Sequence, residues 1–288
     1  MVITSYPSAV LPSYRLFILT LLSLLLISCS RDNDQDENGS NLPYYFQDGF
    51  ETDNGNLSEL FATDGNRWSG IQQVNPSNDQ NLIMLSNTES TEGLSALMFE
   101  SAPSDQVLSK IDIEKGGFIA PVGSTLTIEA DYYIESTGSI QDLFLLDIEC
   151  CSCWDPSVDD NQCPGIRLKL SGDQEYLSIE RGKILGSTIN QSSHSFPRDE
   201  WVSVKWQMIL FPDDTGLNKL YINDEEVINE NGKNMPNSTE FKQAFAENGI
   251  DFELSDPLYY ERFQIGATAN PTPSKVTMYI DNVRLSVE

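Results

Sequence analysis

Residues 124–134, with the sequence STLTIEADYYI, carry the pattern that decides the fold class. Apolar side chains occupy every second position from Leu126 onward, and mostly polar ones lie between them. Side chains along a β-strand point alternately to its two faces, so this alternation predicts a strand with one buried face. The same period of two in residues 143–149, 165–170 and 201–208 predicts further half-buried antiparallel strands.

A hairpin and two late strands extend this pattern. Residues 217–228 place two short alternating runs on either side of Asn223 and Asp224, which favour a tight turn. Residues 260–266 and 275–287 predict two more strands. Because the strands are many and short, we expect them to form a sandwich of two sheets.

One short helix is expected over about residues 238–247. Asn237 can cap its first turn, with Glu240 three residues further on, and Asn248–Gly249 follows its apolar stripe. The helix is the one exception to the strand pattern. We therefore expect residues 43–288 to form a single all-β domain, with two antiparallel sheets and one short helix.

The composition excludes one class of partner. The 288 residues include 17 Lys and Arg against 44 Asp and Glu, which gives a formal net charge of −27. A nucleic-acid-binding surface needs clustered cations that replace the counterions of the phosphates, so we expect no nucleic-acid partner. The 13 Phe, 11 Tyr and 4 Trp make the chain too rich in core-forming residues to be wholly disordered.

The N-terminal segment is predicted to be a lipoprotein signal peptide, residues 1–28. Residues 16–27 form an uncharged, mostly apolar run that is too short to span a membrane as a helix. The sequence Leu26-Ile27-Ser28-Cys29 resembles the bacterial lipobox, which implies cleavage before Cys29 and lipidation of its thiol. The membrane contact is then a lipid anchor only. The alternative is a soluble secreted protein with an ordinary cleavage site.

Residues 29–42 are expected to form an acidic, disordered tether. Four of the six residues 32–37 are acidic, and residues 30–40 contain no large apolar side chain. An acidic stretch directly after the lipidated cysteine resembles the surface-export signal of Bacteroidetes lipoproteins. That resemblance implies an outer-membrane protein at the cell surface, whereas the alternative is a solvated spacer.

Five segments, in their order along the chain, carry a resemblance that covers nearly all of the domain. They are DGFE (48–51), EGLSALMF (92–99), WVSVKW (201–206), LYIND (220–224) and MYIDNVRL (278–285). The set resembles the concanavalin A-like lectin/glucanase jelly rolls, particularly carbohydrate-binding modules and heparin-lyase-like polysaccharide lyases. The resemblance implies a jelly-roll sandwich that binds polysaccharide, and we expect a monomer.

Strand parity gathers a set of polar side chains that could share one face of a sheet. In jelly rolls such a face binds sugar through charged, amide and aromatic groups. The set comprises Asp147, Glu149, Arg167, Lys169, Lys205, Gln207, Arg262 and Gln264. Its four cations could hold uronate or sulfate groups if they lie together. If the cations do not lie together, a neutral glycan is the better expectation. The alternative to a binding site is that these side chains simply form the solvated outer face of a sheet.

A polysaccharide lyase that cleaves a uronate-containing glycan by β-elimination is the second hypothesis. Elimination needs a group that neutralises the carboxylate and groups that move protons. The resemblance suggests Arg262, Tyr260 and His194 for these catalytic roles. The lyase motif Tyr-x-Lys-x-Gly-x-Tyr is only partly present, because Gly266 matches whereas Ala267 and Thr268 stand where the second Tyr is expected. We therefore favour binding without catalysis.

A glycosidase is a third and weaker hypothesis. Residues 145–149, LLDIE, resemble the Glu-x-Asp-x-Glu strand of jelly-roll endoglucanases. Leu145 occupies the position of the nucleophile, and retaining hydrolysis requires a carboxylate there.

Four cysteines lie between two predicted strands. They are Cys150, Cys151, Cys153 and Cys163. In an exported protein they suggest two disulfides, with three possible connectivities. Neighbouring cysteines rarely pair with each other, so bridges to Cys153 and Cys163 are favoured. A zinc site built from thiolates is the alternative.

A structural calcium ion is implied by the resemblance. In related binding jelly rolls, a Glu of the opening motif and an Asp of the closing motif share the metal. Glu51 and Asp281 stand at these positions. Oxygen ligands from both ends of the domain would hold the terminal strands together.

Overall fold

The computed structural model describes residues 43–61, 63–76, 80–103, 109–135, 138, 140–155, 163–181, 187–270 and 274–288. Within these residues the strands are β1 (Tyr44–Asp48), β2 (Gly70–Val74), β3 (Leu82–Ser86), β4 (Ala96–Ser101), β5 (Lys110–Lys115), β6 (Ala120–Pro121), β7 (Thr125–Ile134), β8 (Leu143–Glu149), β9 (Gly165–Ser171), β10 (Tyr176–Arg181), β11 (Ser187–Ser195), β12 (Trp201–Ile209), β13 (Leu217–Ile222), β14 (Glu225–Asn231), β15 (Tyr259–Tyr260), β16 (Arg262–Ala269) and β17 (Val276–Val287). A short 3₁₀ helix covers Leu57–Phe61, and helix α1 covers Ser238–Glu247.

Two large antiparallel sheets form the domain, which confirms the expected jelly-roll sandwich. The eight-stranded sheet has the order β14-β13-β12-β7-β17-β4-β3, and β1 also pairs with β17. The seven-stranded sheet has the order β11-β10-β9-β8-β16-β5-β2. A small sheet joins β15 to β6. Half of the neighbouring pairs in the two large-sheet orders join strands that are not consecutive in sequence, and two of these pairs, β8 with β16 and β16 with β5, help to build the site described below.

The core lies between the inner faces of the two large sheets. Its largest fully buried side chains come from both sheets and from the segment before β2, and include Trp68, Tyr132, Trp206, Phe99 and Phe263. The four that lie on strands alternate with outward-facing side chains, as the period of two predicts.

The predicted helix and hairpin are confirmed, and the residues expected to cap the helix and form the turn do so. Asn237 Oδ1 accepts a hydrogen bond from the backbone N–H of Glu240 at 3.0 Å, so it caps α1 as expected. In the hairpin, Asn223 and Asp224 both have positive φ angles, of 48° and 65°. A type I′ turn requires this conformation, and Asn and Asp tolerate it better than most residues.

The predicted membrane anchor lies in a part of the chain that the structure does not describe. Residues 1–42, which include Cys29 and the acidic tether, fall outside the described residues. Among those that are described, no helix is long and apolar enough to cross a membrane.

Asp48, at the end of β1, is a buried acceptor that joins three segments. Its carboxylate accepts bonds from the backbone N–H of Phe50 (2.7 Å), from Arg67 Nε (2.9 Å) and Nη2 (2.6 Å), and from Trp68 Nε1 (3.0 Å). The bond to Phe50 holds that residue at a φ of 59°, where its buried ring stacks on Trp68. Non-glycine residues rarely adopt this conformation, so Asp48 offsets local strain while it anchors Trp68 in the core.

We predict that Asp48→Ala lowers the free energy of unfolding by about 3–5 kcal/mol, because it leaves a partly buried guanidinium and a buried indole N–H without their acceptor. Urea denaturation followed by tryptophan fluorescence measures the change. The matched control is Glu253→Ala, which removes the exposed ion pair with Lys242. It should cost no more than about 1 kcal/mol. Equal losses in the two variants would contradict this role for Asp48.

Candidate functional site

The outer face of the seven-stranded sheet carries a set of charged and amide side chains that are largely buried. We call this set the polar face. Its members are Lys110, Asp112, Glu114, Asp147, Glu149, Arg167, Lys169, Glu180, Arg262 and Gln264. Asp112 and Gln264 are 0% exposed, and Asp147 is 1% exposed. Polar side chains on an outer sheet face are usually solvated, so this burial marks an organised site.

The centre of the polar face is an ion pair between neighbouring strands. Arg167 on β9 lies opposite Asp147 on β8. Its Nε and Nη2 donate to the two Asp147 oxygens at 2.8 and 3.0 Å, and Thr268 Oγ1 donates to the same carboxylate at 3.2 Å. Burial acts to lower the pKa of Arg167, but the attraction and hydrogen bonds of Asp147, together with the nearby Glu149 and Glu180, raise that pKa overall. The guanidinium therefore stays charged and fixed in the sheet.

A second network runs from β16 across to β5. Glu149 Oε2 accepts from Arg262 Nε at 2.7 Å, from Arg262 Nη2, and from Gln264 Nε2 at 3.2 Å. The Gln264 carbonyl oxygen accepts in turn from Lys110 Nζ at 3.0 Å. Lys110 Nζ also lies 3.3 Å from an Asp112 oxygen. These contacts link three neighbouring strands into one continuous network of hydrogen bonds.

Phe144 lies on the polar face, and this corrects the simple strand parity that groups it with the core residues Leu146 and Ile148. A β-bulge between Phe144 and Leu146 inserts one extra residue, so the alternation reverses there. The ring lies beneath Arg167 Cζ at 4.1 Å and Lys169 Nζ at 5.4 Å from its centroid. The polar face thus has an aromatic floor under two of its cations.

The cations of the polar face do not form a positive patch. Arg167 pairs with Asp147, and Lys110 pairs with Asp112. Arg262 contacts Glu149 and Glu114, and Lys169 contacts Glu180 and Asp142. Each of these four cations has a carboxylate within ion-pair distance, so the local field gives little net attraction for an anion.

Lys205 and Gln207 do not belong to this face, contrary to the grouping that strand parity suggested. Both lie on β12, in the eight-stranded sheet. Lys205 Nζ contacts Glu129 of β7 at 2.9 Å. Alternation along a strand predicts which side chains share a face of that strand, but it does not say to which sheet the strand belongs.

The structure does not gather the three proposed catalytic residues. Tyr260 is fully buried, its hydroxyl donates to the Asn234 carbonyl oxygen at 2.8 Å, and burial raises its pKa. His194 is exposed on the edge strand β11, with its Nε2 3.8 Å from Glu225 of β14. Of the three, only Arg262 lies on the polar face, where it contacts Glu149 and Glu114. Tyr260 and His194 are therefore poorly placed for proton transfer at this face.

Four members of the polar face escaped the sequence prediction: Glu180 of β10 is one, and the other three are Lys110, Asp112 and Glu114. These three alternate with the buried Ile111 and Ile113 along β5. This period of two over KIDIEK is a clear strand signal, and applying it to the segment would have identified all three.

The cysteine loop forms two disulfides, which confirms the expected bridging. Cys150 pairs with Cys153, and Cys151 pairs with Cys163. Glu149 and the sulfurs of Cys151 and Cys163 lie within 4.8 Å of one another, a grouping that could hold a metal. Zinc, however, requires thiolates, and both sulfurs belong to a disulfide. The bridges also hold Cys163 Sγ 3.3 Å from Arg262 Nη2, at the rim of the polar face.

Glu51 and Asp281 meet at the same loop, although they come from opposite ends of the domain. Glu51 Oε1 accepts from the backbone N–H groups of Leu94 (2.7 Å) and Ser95 (3.0 Å). Asp281 is buried and accepts from the N–H and hydroxyl of Thr91, at 2.9 and 3.1 Å. Desolvation raises the pKa of Asp281 despite these bonds. The two carboxylates therefore clamp the loop over residues 91–95.

A cleft of about 260 Å³ lies beside this clamp. It is lined by Glu51, Glu92, Gly93, Asp48 and Asn282 among others. The lining supplies side-chain oxygens of the kind that calcium prefers, so Glu51 fits as a ligand by its chemistry and position. Asp281 fits less well, because N–H and O–H donors already surround its oxygens.

Comparison with solved structures finds the same fold in other proteins. The chain is similar to the cellulose-induced protein Cip1, with a TM-score of 0.54 and 14% identity over 83% of this chain and 96% of that one. It is similar to an endo-β-1,4-glucuronan lyase from the fungus Trichoderma reesei, at 0.54 and 12% over 84% and 94% of the two chains. A variant of the alginate lyase Aly36B, in complex with an alginate trisaccharide, gives 0.51 and 12% over 84% and 98%.

These likenesses establish the fold. The chain is a jelly-roll sandwich, as the five ordered segments predicted, and it shares this fold with the glucuronan lyase and the alginate lyase. No protein-family model and no curated protein sequence matches it.

We predict that the four loop cysteines contain no free thiol and no zinc. Under denaturing, non-reducing conditions, iodoacetamide should leave all four unmodified, because each sulfur is in a disulfide. Peptide mapping should recover Cys151 linked to Cys163. Reduction before alkylation, as the control, should label all four. One zinc ion per chain, together with alkylation of the cysteines without reduction, would contradict the disulfides.

Proposed function

We propose that this protein binds polysaccharide on the polar face, without cleaving it, and that a lipid on Cys29 tethers it to the outer surface of the cell. The observation that carries the binding proposal is the ordered polar face itself. Its donors and acceptors are held by cross-strand contacts on a rigid sheet, and the buried Phe144 ring packs beneath Arg167 and Lys169. Donors and acceptors fixed in this way suit hydroxyl-rich rings.

The pairing of charges favours a neutral glycan as the ligand. A uronate or sulfate would need a cation to spare, but Arg167, Lys169, Arg262 and Lys110 are all engaged by carboxylates. The net charge of −27 would add a long-range repulsion of any anionic polymer. Sugar hydroxyls can instead bond to carboxylates that have lone pairs left over.

Lyase activity remains the second candidate. Two of the similar structures are named as lyases, of glucuronan and of alginate, and their fold covers most of this chain. Arg262, whose side chain is 28% exposed, is the cation of the polar face that a uronate could reach most easily. The burial of Tyr260 and the edge position of His194 weigh against this reading.

We predict that Glu114→Gln weakens glycan binding about fivefold, because it replaces a half-buried acceptor at the accessible rim of the polar face and one lost hydrogen bond corresponds to about 1 kcal/mol. Affinity electrophoresis in gels that contain β-glucan, xylan or mannan measures retardation. Gln207→Ala, on the other sheet, is the matched control and should bind as the parent does. Equal weakening in both variants would argue against the polar face.

The same samples separate binding from cleavage. Incubation with alginate, glucuronan, heparin and ulvan should give no rise in absorbance near 235 nm, where the unsaturated products of β-elimination absorb. A rise that Arg262→Ala abolishes would establish the lyase instead. Retardation by neutral glycans with no such rise supports the proposal, and retardation by uronate polymers alone would contradict the neutral ligand.

We propose further that calcium binds in the cleft beside the terminal strands, with Glu51 as a ligand and Asp281 as the residue that positions the loop. We predict that excess calcium raises the midpoint of thermal unfolding relative to EDTA, because a ligand of the native state stabilises it. Glu51→Gln should abolish that difference, whereas Glu253→Gln should keep it. Identical midpoints in calcium and EDTA for the parent protein would refute the site.

A further inference from the structure

A stripe of large side chains crosses the outer face of the eight-stranded sheet, on the opposite side of the sandwich from the polar face. Trp201, Tyr133, Tyr279, Met98 and Met84 are direct partners across the five neighbouring strands β12, β7, β17, β4 and β3. We call these five residues the aromatic stripe. Single apolar side chains on a surface are ordinary, but five in register across five strands form a continuous patch.

The three aromatic rings of the stripe lie in a row, and each contacts the next. The ring centroids of Trp201 and Tyr133 are 5.8 Å apart at an interplanar angle of 60°. Those of Tyr133 and Tyr279 are also 5.8 Å apart, at 79°. Neighbouring rings therefore meet edge to face, and a group that rests on one ring lies beside the face or edge of the next.

Carboxylates surround the stripe. The Tyr279 hydroxyl donates to Glu135 Oε1 at 3.2 Å. Burial, and then the nearby Glu135 and Glu89, raise the pKa of Tyr279 to about 12. Burial also raises the pKa of Tyr133, with contributions from Glu89, Asp199 and Glu135. Two of the three rings thus lie in a negative field.

Lys275 and Arg198, two cations near the aromatic stripe, each form an ion pair with a carboxylate. Lys275 pairs with Glu100 beside Met98. Arg198 donates to both oxygens of Glu175, at 2.8 and 2.9 Å. Because these cations are neutralised, the acidic rim favours a ligand that brings positive charge. An ammonium group gains from aromatic faces and from carboxylates at the same time.

We propose that the aromatic stripe is a second binding site, which takes a polysaccharide whose sugar units carry free amino groups. The rings offer surfaces for the apolar faces of the sugars, and the rim offers partners for the ammonium groups. The stripe runs across strands that are about 4.8 Å apart, so an extended polymer can meet several of its members in turn. A bound peptide strand would instead be expected at a sheet edge, where backbone groups are unpaired.

This proposal stands independently of the polar face, because the two sites lie on different sheets. Isothermal titration of the full-length protein with a glucosamine hexamer tests it, with the N-acetylglucosamine hexamer as the uncharged ligand of equal length. We expect the amino hexamer to bind and its affinity to fall with added salt, because screening weakens the contribution of the rim. The acetylated hexamer should bind at least tenfold more weakly.

Substitutions locate the site. Trp201→Leu and Glu135→Gln should each weaken binding of the amino hexamer about three- to tenfold, in line with the loss of one cation–π or ionic contact. The matched controls are Tyr221→Leu and Glu226→Gln. Tyr221 and Glu226 form a similar pair, 3.0 Å apart, on the same sheet but outside the stripe. Both controls should bind the amino hexamer as the parent does.

Three outcomes would overturn the proposal. Equal binding of the two hexamers would show that charge plays no part. Equal weakening by Glu135→Gln and Glu226→Gln would show only a general attraction to an acidic protein. Tighter binding of a lysine hexapeptide, lost in Trp201→Leu, would assign the stripe to a basic peptide. Thermal unfolding of each variant confirms that a loss of binding is not a loss of fold.

Discussion

The cross-strand pairing of buried opposite charges is the constraint on which the seven-stranded sheet depends. Asp147 faces Arg167, and Glu149 faces Arg262, each directly across a strand boundary. A shift of one residue in register would turn these charges into the core and the core side chains outward. Removing one partner alone would leave an uncompensated charge in a buried position. The same pairs that fix the register therefore also fix the geometry of the polar face and determine its near-neutral charge.

The sequence predicted those elements in which the local signal was strong. The alternation over residues 124–134 and the capping residue Asn237 led to the correct strand and helix. The sequence pattern could not predict the β-bulge that places Phe144 on the polar face, because nothing in residues 143–149 marks the extra residue. Nor could it assign Lys205 to a sheet, since that depends on pairing with strands far away in the chain.

The two outer faces of the sandwich differ in their charge and polarity. The polar face buries charges by pairing them, and its ion pairs leave little net field for a ligand. The aromatic stripe differs, since it holds the partly exposed rings of Trp201 and Tyr133 beside the more buried Tyr279, near carboxylates such as Glu135 and Glu89. One fold thus offers two surfaces of contrasting character, and a single polymer type would not suit both equally well.

The pairing of β1 with β17 has a consequence for any use of the domain in a larger assembly. Tyr44 lies opposite Val287, so the first and last strands are neighbours in one sheet. A segment joined before Tyr44 and a segment joined after Val287 therefore leave the domain at the same end of this sheet. A reporter or partner domain fused after Val287 would begin beside Tyr44, the first residue of β1. A fusion within the exposed turn at Asn223 and Asp224, at the opposite end of the sheet, would avoid that place.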